Sequence, residues 1–476
     1  MNEKTKSSSI LDQLKRADEA EVWEGLQREL QSFEGKLVVL DDDPTGVQTV
    51  HDIYVYTDWT VESMTSGLLS PERLFFIITN SRGLTAAETE RIHREIAENL
   101  VAASAQTGVA FTLISRSDST LRGHFPLETE TLKNVLEEHG LSIDGEILCP
   151  YFKEGGRFTI DDIHYVQYGD ELVPAAETEF AKDKTFGYSH SDLKEYIEEK
   201  TKGQYAADSV VSISLSELRE RDYDGIAEKL AGVRDFGKII VNAVEPADVE
   251  TFSAALYRAM KQGRRFMFRT AAGLVKALGG IDSRPLLTRE DMIRSDSTNG
   301  GLVVVGSHTQ KTTEQLAELL KLENTEAVAF NSDLVQEGEN AFAKEIQRCI
   351  REEERIIREG KIAVCYTSRK LLTLENDTPE SVLLRSVKIS DGVQRLVRDL
   401  KETPAFIIAK GGITSSTIGT EALGVKRALV LGQIVPGVPV WQTDPGSRFP
   451  GIPYIIFPGN VGNRESLKEA AKRLLE

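Results

Sequence analysis

Three consecutive aspartates, Asp41, Asp42 and Asp43, directly follow the apolar run KLVVL. Carboxylates crowded in this way repel one another unless a cation, a donor network or a ligand hydroxyl compensates them. A carboxylate at the end of a strand can orient or deprotonate an alcohol, or hold Mg²⁺ through water. The alternative interpretation is a solvated acidic turn that contains Pro44 and Gly46. The chemistry that this pattern favours is work on a hydroxyl group.

Two further polar segments, NSR at 80–82 and RSDSTLRG at 116–123, also follow apolar runs. Arginine forks bind carboxylates bidentately, and Ser, Thr and Asp side chains hold hydroxyls in fixed geometry. Together with the aspartates they predict a pocket for a small polyhydroxy acid, whose carboxylate Arg82 and Arg122 would hold. The alternative is a purely structural Arg–Asp network. The candidate substrate-binding residues are Arg82, Arg116, Asp118, Ser119, Thr120, Arg122 and Gly123.

Three glycine-rich segments in the second half precede predicted helices: GSHT at 306–309, GGITSS at 411–416 and GNVG at 459–462. Glycine allows close backbone approach, and free N–H groups at a helix start favour an anion. We interpret the three segments as loops for nucleotide phosphates, although glycine also caps ordinary helices and turns. The candidate nucleotide-binding residues are Ser307, Thr309, Gly411, Gly412, Ile413, Thr414, Gly459 and Asn460.

Some residues near these loops allow two interpretations. Lys410 could reach a phosphate or could be an exposed lysine at a strand end. Val438 and Trp441 could line an adenine pocket, or Trp441 could be plain core. The sequence contains neither G-x-x-x-x-G-K-[ST] nor G-x-G-x-x-G, which argues against a P-loop and a Rossmann dinucleotide site. The histidines have no neighbouring ligands at metal-site spacing, so we interpret them as hydrogen-bonding or packing residues.

Composition sets broad limits on the function. The chain has 476 residues, a formal net charge of −18 and a pI of about 5.1, and this acidity disfavours nucleic-acid binding. Its three cysteines form no CxxC pair, which fits a reducing compartment. The polar N-terminus and the lack of a long apolar run predict a soluble, cytoplasmic protein without a membrane partner.

The elements that must position these loops follow an α/β pattern. Apolar runs at 36–40, 74–79 and 109–115 each end in a polar loop, often followed by a helical pattern, which is typical of mainly parallel sheets. We therefore predict two α/β domains with the active site in the cleft between them, because ligands bind at the carboxyl ends of strands. The predicted segments are an N-terminal helical extension at 1–35, a first domain at 36–285 with a β-rich excursion at about 150–190, and a second domain at 300–476.

In the order and spacing of its motifs, the chain resembles the four-carbon acid sugar kinases over roughly residues 36–470. The segments that carry the resemblance are DDDPTG, NSR, SRSDSTLRGHFPLE, GRFTIDDIHYV, ETEFAKDKTFGY, GSHT, KGGITSS, PGVPVW and FPGNVGN. The sequence of the C-terminal motifs is most similar to that of the 3-oxo-tetronate kinase branch. Two departures are Arg116, where a lysine-like residue is usual, and YFKEGGR after Cys149-Pro150, where many relatives have an apolar residue and a second proline.

The resemblance implies a sugar-acid-binding domain followed by a nucleotide-binding domain. It implies ATP-dependent phosphorylation, with Mg²⁺, of the terminal hydroxyl of a 3-oxo-tetronate, threonate or erythronate. Its Asp-Asp pair falls on Asp42 and Asp43 as catalytic residues, and its substrate arginine falls on Arg82. The alternatives are a kinase for a branched or five-carbon oxo acid and a non-catalytic sugar-acid sensor. A dehydrogenase or an aldolase lacks its expected motif, and a homo-oligomer is compatible with all of these interpretations.

Overall fold

The chain divides into two compact units. Unit 1 comprises Met1–Thr49 and Asp58–Ser283, and unit 2 comprises Val50–Thr57 and Arg284–Glu476. The structure, a computed structural model, describes residues 4–14, 18–43, 45–293, 296, 298–370, 372, 374, 377–459 and 461–476.

The strands and helices alternate along most of the chain. The strands are β1 Lys6–Ser7, β2 Lys36–Asp41, β3 Ile53–Tyr56, β4 Leu74–Ile78, β5 Phe111–Arg116, β6 Gly145–Cys149, β7 Arg157–Ile160, β8 Ile163–Tyr168, β9 Glu171–Pro174, β10 Val211–Ile213, β11 Gly237–Val241, β12 Phe266–Thr270, β13 Leu302–Val305, β14 Thr325–Phe330, β15 Ile362–Thr367, β16 Ile407–Lys410, β17 Arg427–Val435, β18 Val438–Thr443 and β19 Pro453–Phe457. The helices are α1 Ile10–Gln13, α2 Glu19–Leu30, α3 Val61–Leu69, α4 Ala86–Thr107, α5 Leu127–Glu138, α6 Leu193–Lys200, α7 Leu215–Glu220, α8 Tyr223–Gly232, α9 Pro246–Lys261, α10 Ala272–Gly279, α11 Arg289–Met292, α12 Gln310–Leu319, α13 Glu339–Arg358, α14 Pro379–Arg398, α15 Gly412–Thr417 and α16 Ser466–Arg473.

Unit 1 is built on parallel strands in the order β10-β11-β6-β12-β5-β2-β4. All six residues of β2 are buried, as expected for a parallel strand covered on both faces. Helix α4 follows β4 and begins with a capping box in which Thr85 and Glu88 exchange hydrogen bonds. Within the predicted β-rich excursion, β7, β8 and β9 form an antiparallel meander.

Unit 2 combines a parallel set, β19-β16-β13-β15-β14, with antiparallel neighbours β3-β17-β18-β19. Its core lies between the sheet and the helices, with Val303, Val305, Ile408 and Phe457 among its buried side chains. The two units confirm the predicted fold class, two α/β domains with mainly parallel sheets.

Two short segments differ from the sequence expectation. The extension at 1–35 contains α1 and α2, but Lys6–Ser7 forms a strand that pairs with β9. Val50–Thr57 lies inside the range predicted for the first domain, yet it groups with unit 2 because β3 pairs antiparallel with β17. Both are long-range strand pairings of short segments, which local hydrophobic patterns do not reveal.

Candidate functional site

The predicted acid-binding residues of unit 1 gather at one edge of its sheet. Strands β4, β2 and β5 are parallel neighbours, and Asp41 is aligned with Ile78 on one side and with Arg116 on the other. The loops that follow these three strands therefore begin side by side. Arg82 enters from the short 3₁₀ turn Ser81–Gly83, whose preceding residue Asn80 has a left-handed backbone with φ 53°.

Asp42 is held by a bidentate ion pair. The Arg82 Nη2 donates to Asp42 Oδ1 at 2.6 Å and its Nε donates to Oδ2 at 3.2 Å, while the Ser117 hydroxyl donates to Oδ2 at 2.9 Å. The Asp42 side chain is only 2% exposed. Burial acts to raise the pKa of Asp42, but the charge and hydrogen bonds of Arg82 outweigh it and leave the pKa below its ordinary value. Asp42 is thus ionised and already occupied by protein donors.

Asp43 is the accessible carboxylate of the three. Its Oδ1 accepts hydrogen bonds from the Thr45 backbone N at 2.8 Å and the Thr45 hydroxyl at 2.6 Å. Its Oδ2 lies 3.7 Å from the Arg82 Nη1, and its side chain is 31% exposed. One Asp43 oxygen therefore remains able to accept a hydrogen bond from a ligand hydroxyl.

Asp41, which we did not select from the sequence as a site residue, is fully buried behind the other two. Its Oδ1 accepts from the Arg116 Nη1 at 3.0 Å and from the Asp43 backbone N at 3.1 Å. Its Oδ2 has no hydrogen-bond partner among the described residues. A Cβ at Gly46 would lie 1.6 Å from that oxygen, so the turn requires glycine at this position. Burial raises the pKa of Asp41 to about 7, despite Arg116.

This raised pKa predicts a pH-dependent effect of Asp41→Asn on stability. The native state holds the Asp41 proton more tightly than the unfolded state between about pH 4 and about pH 7, so ionisation of this group costs native stability as pH rises through that window. We expect the variant to gain unfolding free energy relative to the unmodified chain by up to about 1.4 kcal/mol per pH unit there. Urea unfolding from pH 4 to 8 measures the difference. A difference that does not vary with pH would mean that Arg116 keeps Asp41 ionised throughout.

The segment 116–123 also contains an ion pair of its own. Arg122 Nε donates to Asp118 Oδ2 at 2.7 Å, and the Thr120 hydroxyl donates to the same oxygen. Burial acts to raise the pKa of Asp118, but Arg82 and then Arg122 lower it well below its ordinary value. The Arg122 side chain is 26% exposed and that of Arg82 is 22% exposed. These two guanidinium groups and Asp43 are the partly open members of the cluster.

Residues that we did not select from the sequence hold this segment through its carbonyl groups. The Nε2 of the buried His164 donates to the Ser119 carbonyl at 2.8 Å, the Tyr188 hydroxyl donates to the Thr120 carbonyl at 2.8 Å, and the Tyr196 hydroxyl donates to the Leu121 carbonyl at 2.9 Å. Burial lowers the pKa of His164 to about 4, so the ring is neutral at pH 7. Its Nδ1 then accepts from the Thr159 hydroxyl at 3.0 Å. His164 and Tyr188 lie within GRFTIDDIHYV and ETEFAKDKTFGY, two of the segments that carry the family resemblance, whereas Tyr196 lies outside them and is identified only by its buried position.

Gly123 closes the segment against the aspartates. Its φ of 119° belongs to the region that favours glycine, and a Cβ there would lie 2.9 Å from the Ser117 hydroxyl and 3.4 Å from Asp42 Oδ2. Arg269 donates from Nη2 to the Arg122 carbonyl at 2.8 Å. The structure therefore brings together all the predicted residues of this half, and the Arg–Asp network that we considered as an alternative exists within the same cluster.

The three glycine loops of unit 2 also meet, because β13, β16 and β19 are parallel neighbours. A Cβ at Gly306 would lie 2.2 Å from the Thr414 hydroxyl, and one at Gly411 would lie 3.2 Å from the Ser307 Cβ. A Cβ at Gly459 would lie 3.8 Å from the Ser307 hydroxyl oxygen. A side chain is therefore excluded at Gly306 and crowded at Gly411, so these glycines allow the loops to pack closely together, whereas a Cβ at Gly412 would have no atom within 4 Å.

Hydroxyl groups and helix starts surround this glycine cluster, which we define as Gly306, Gly411 and Gly459. Thr309 caps α12 by accepting from the Thr312 backbone N at 3.2 Å, and the Thr312 hydroxyl donates to the Ser307 hydroxyl at 3.2 Å. Helix α15 begins at Gly412, and the next side chain, Ile413, is 77% exposed. Asn460 lies outside the described residues.

Lys410 fits neither of its two interpretations. It is fully buried, and its Nζ donates to the Pro458 carbonyl at 2.6 Å and to the Gly459 carbonyl at 3.2 Å. Burial lowers its pKa to about 7. A strand-end lysine turned inward in this way anchors the 458–459 loop instead of reaching a phosphate. Val438 and Trp441 are both buried in the core, as in the plainer of their two interpretations.

No group of three or more His, Cys, Asp or Glu side chains in the described part of the chain could hold a metal ion. In the same part, no helix is both long and apolar enough to cross a membrane.

Comparisons with known proteins also divide the chain into two domains. A family model described as a sugar-binding N-terminal domain matches residues 37–278, and one described as a nucleotide-binding C-terminal domain matches residues 302–467. No curated protein matches the chain in sequence.

Solved structures resemble the chain along nearly its whole length. A Salmonella typhimurium LT2 protein, provisionally assigned as a tRNA synthase, has a TM-score of 0.67 at 16% identity, covering 91% of this chain and 98% of that one. Haemophilus influenzae protein HI1011, of the DUF1537 family, has a TM-score of 0.62 at 16% identity, covering 92% and 100%. At such low identities the likeness concerns the fold alone.

Proposed function

The chain belongs to the DUF1537 or four-carbon acid sugar kinase family, in which a sugar-binding N-terminal domain precedes a nucleotide-binding C-terminal domain, and from that membership we propose a specific reaction. The chain transfers the terminal phosphate of ATP to the terminal hydroxyl of a four-carbon sugar acid of the 3-oxo-tetronate, threonate or erythronate type. The observation that carries the proposal is that one chain contains both an Asp–Arg cluster, in unit 1, and a glycine cluster, in unit 2.

The acid's carboxylate is the group that Arg82 and Arg122 bind. Both guanidinium groups are anchored by a buried or half-buried aspartate, Asp42 for the first and Asp118 for the second. Anchoring leaves their outer N–H groups fixed in direction, which reduces the entropy lost when a ligand carboxylate binds. In this assignment Asp42 is a positioning residue for Arg82 and does not act as the base.

Asp43 orients the acceptor hydroxyl and accepts its proton. Its Oδ1 is fixed by Thr45 and its Oδ2 is accessible, as a hydrogen-bond acceptor for an alcohol must be. Asp42 is a poorer candidate because Arg82 and Ser117 already occupy its oxygens. Phosphoryl transfer depends mainly on positioning and charge neutralisation, so a single well-oriented carboxylate is sufficient.

The nucleotide phosphates bind at the glycine cluster. The open space at Gly412 beside the glycine cluster, the hydroxyl groups of Ser307 and Thr309, and the N-terminus of α12 all suit an anion. Mg²⁺, bound mainly by the phosphates and water, would neutralise part of their charge. Three free, buried cysteines are consistent with action in the reducing cytoplasm.

A screen for acid-dependent ADP release tests the proposed function. Purified protein is incubated with ATP, Mg²⁺ and each of a panel of four- and five-carbon aldonic and oxo acids, including branched ones. We expect ADP release above the acid-free rate with at least one four-carbon acid. If an acid binds in calorimetry without any ADP release, a sugar-acid sensor is the better account. ADP release only with five-carbon or branched acids would change the substrate class and keep the reaction.

A further inference from the structure

Arg369 is a half-buried cation that forms no ion pair with a carboxylate among the described residues. It follows β15 by two residues, and its Nη2 donates to the Ser307 carbonyl and to the Thr313 hydroxyl, the latter at 3.2 Å. Its Nε and Nη1 are buried and have no hydrogen-bond partner among the described residues. Burial lowers the pKa of Arg369, which reflects the cost of its charge. The guanidinium is nevertheless expected to stay protonated, since arginine does not lose its proton in proteins.

The contrast with unit 1 is informative. There Arg82, Arg116 and Arg122 each pair with an aspartate within hydrogen-bond distance. Arg369 forms no ion pair with any carboxylate in the described part of the chain, so both its charge and two of its donor groups remain uncompensated. Buried donors without acceptors are costly, and a bound ligand that supplies the acceptor is one of the ways in which that cost is offset.

The position of Arg369 specifies what that ligand is. Arg369 donates to the Ser307 carbonyl, and Ser307 lies beside Gly411 and Gly459 of the glycine cluster. Arg369 therefore lies next to that cluster. Through Thr313 it adjoins the first turn of α12, where a helix favours negative charge. Burial, with Arg369 next, lowers the pKa of the neighbouring His308, so that ring does not add a second positive charge beside Arg369 at pH 7.

We propose that Arg369 contributes its charge and one of its unpartnered N–H donors to a phosphate group of the nucleotide; the assignment rests on the proposed ATP site and adds a charged residue to it. Arginine suits this task because its guanidinium stays charged and can donate to protein groups and to a ligand at the same time. Its existing bonds to Ser307 and Thr313 leave Nε and Nη1 for the ligand.

The test compares the affinities of ATP, AMP and adenosine for the unmodified chain and for Arg369→Gln by calorimetry. We expect the variant to lose at least about tenfold in ATP affinity, the effect of one charge-assisted hydrogen bond or more, and to bind adenosine within twofold of the unmodified chain. Arg369→Lys, which restores the charge without the guanidinium group, is expected to regain part of the ATP affinity. The matched control is Arg351→Gln, an exposed arginine on α13, which is expected to change none of the three affinities.

The outcomes distinguish the assignment of Arg369 to a phosphate group from the proposed function itself. Equal ATP affinity in Arg369→Gln and the unmodified chain overturns the assignment and leaves the proposed function intact. Equal proportional losses for ATP and adenosine also overturn it, because they indicate that Arg369 only supports the loop through the Ser307 carbonyl. If the unmodified chain binds no ATP, both the assignment and the proposed function fail.

Discussion

Asp43→Asn is expected to lower turnover by about 100-fold or more, which is the usual contribution of a positioned general base. Asparagine keeps the shape of the side chain, and its oxygen can still accept hydrogen bonds from Thr45. It cannot accept the proton of the acceptor hydroxyl. Because Asp43 is partly exposed and has only a long contact with Arg82, the free energy of unfolding should change little. Turnover is measured as ADP release at saturating ATP and acid, and stability by urea unfolding.

Asp170→Asn is the matched control, since Asp170 is exposed in the turn between β8 and β9. It should retain normal turnover. Asp42→Asn provides a second comparison, because it removes the charge that Arg82 pairs with and should lower both activity and stability. Near-normal turnover in Asp43→Asn, together with an inactive but folded Asp42→Asn, would transfer the role of base to Asp42.

Arg82→Ala is expected to cost about 3–5 kcal/mol of unfolding free energy, the typical result of breaking a buried ion pair from one side. The substitution leaves the Asp42 carboxylate, which is 2% exposed, with the Ser117 hydroxyl as its closest remaining donor. It also removes one of the groups proposed to bind the acid, so KM for the acid should rise by an amount equivalent to about 2–4 kcal/mol. Urea unfolding and steady-state kinetics measure the two effects separately.

The double variant Arg82→Ala/Asp42→Asn shows how much of the stability loss comes from the buried charge of Asp42 after Arg82 is removed. We expect it to be more stable than Arg82→Ala alone, because the neutral asparagine is less costly to bury than a carboxylate whose remaining cation, Arg116, lies 4.0 Å away. Arg91→Ala removes an exposed i,i+4 pair with Glu95 and should cost at most about 0.5 kcal/mol. If Arg82→Ala costs no more than that control, Asp42 does not depend on the pair. An unchanged KM would remove Arg82 from the acid site.

Part of the candidate site could be predicted from sequence because strand ends are local features. The apolar run before Asp41 and the run that ends at Arg116 predict parallel strands, and parallel neighbours bring their carboxyl ends to one edge. The contacts that each polar side chain makes at this edge cannot be predicted from its neighbours in sequence. The pairing of Arg82 with Asp42 and of Arg122 with Asp118 depends on directions that only the folded backbone sets.

Contacts between residues that are distant in sequence also explain why some residues had two interpretations and others were not selected. Lys410 is buried because its strand is central in the sheet and its Nζ donates to the Pro458 and Gly459 carbonyls. The sequence around KGG does not indicate these hydrogen bonds. Arg369 follows an ordinary strand, and its importance lies in unpaired donors that can be recognised only in three dimensions. Val50–Thr57 joins unit 2 through a pairing with β17, more than 350 residues away in sequence.

The most direct test of the central claim is identification of the phosphorylated product. The unmodified chain is incubated with ATP, Mg²⁺ and the acid that gives the fastest ADP release, and the mixture is followed by ³¹P NMR with proton coupling. Phosphoryl transfer predicts one monophosphate ester for each ADP formed, with its phosphorus coupled to the protons of the terminal carbon of the acid. Formation of ADP with inorganic phosphate instead, or an ester at another carbon, would contradict the account of a kinase acting on the terminal hydroxyl.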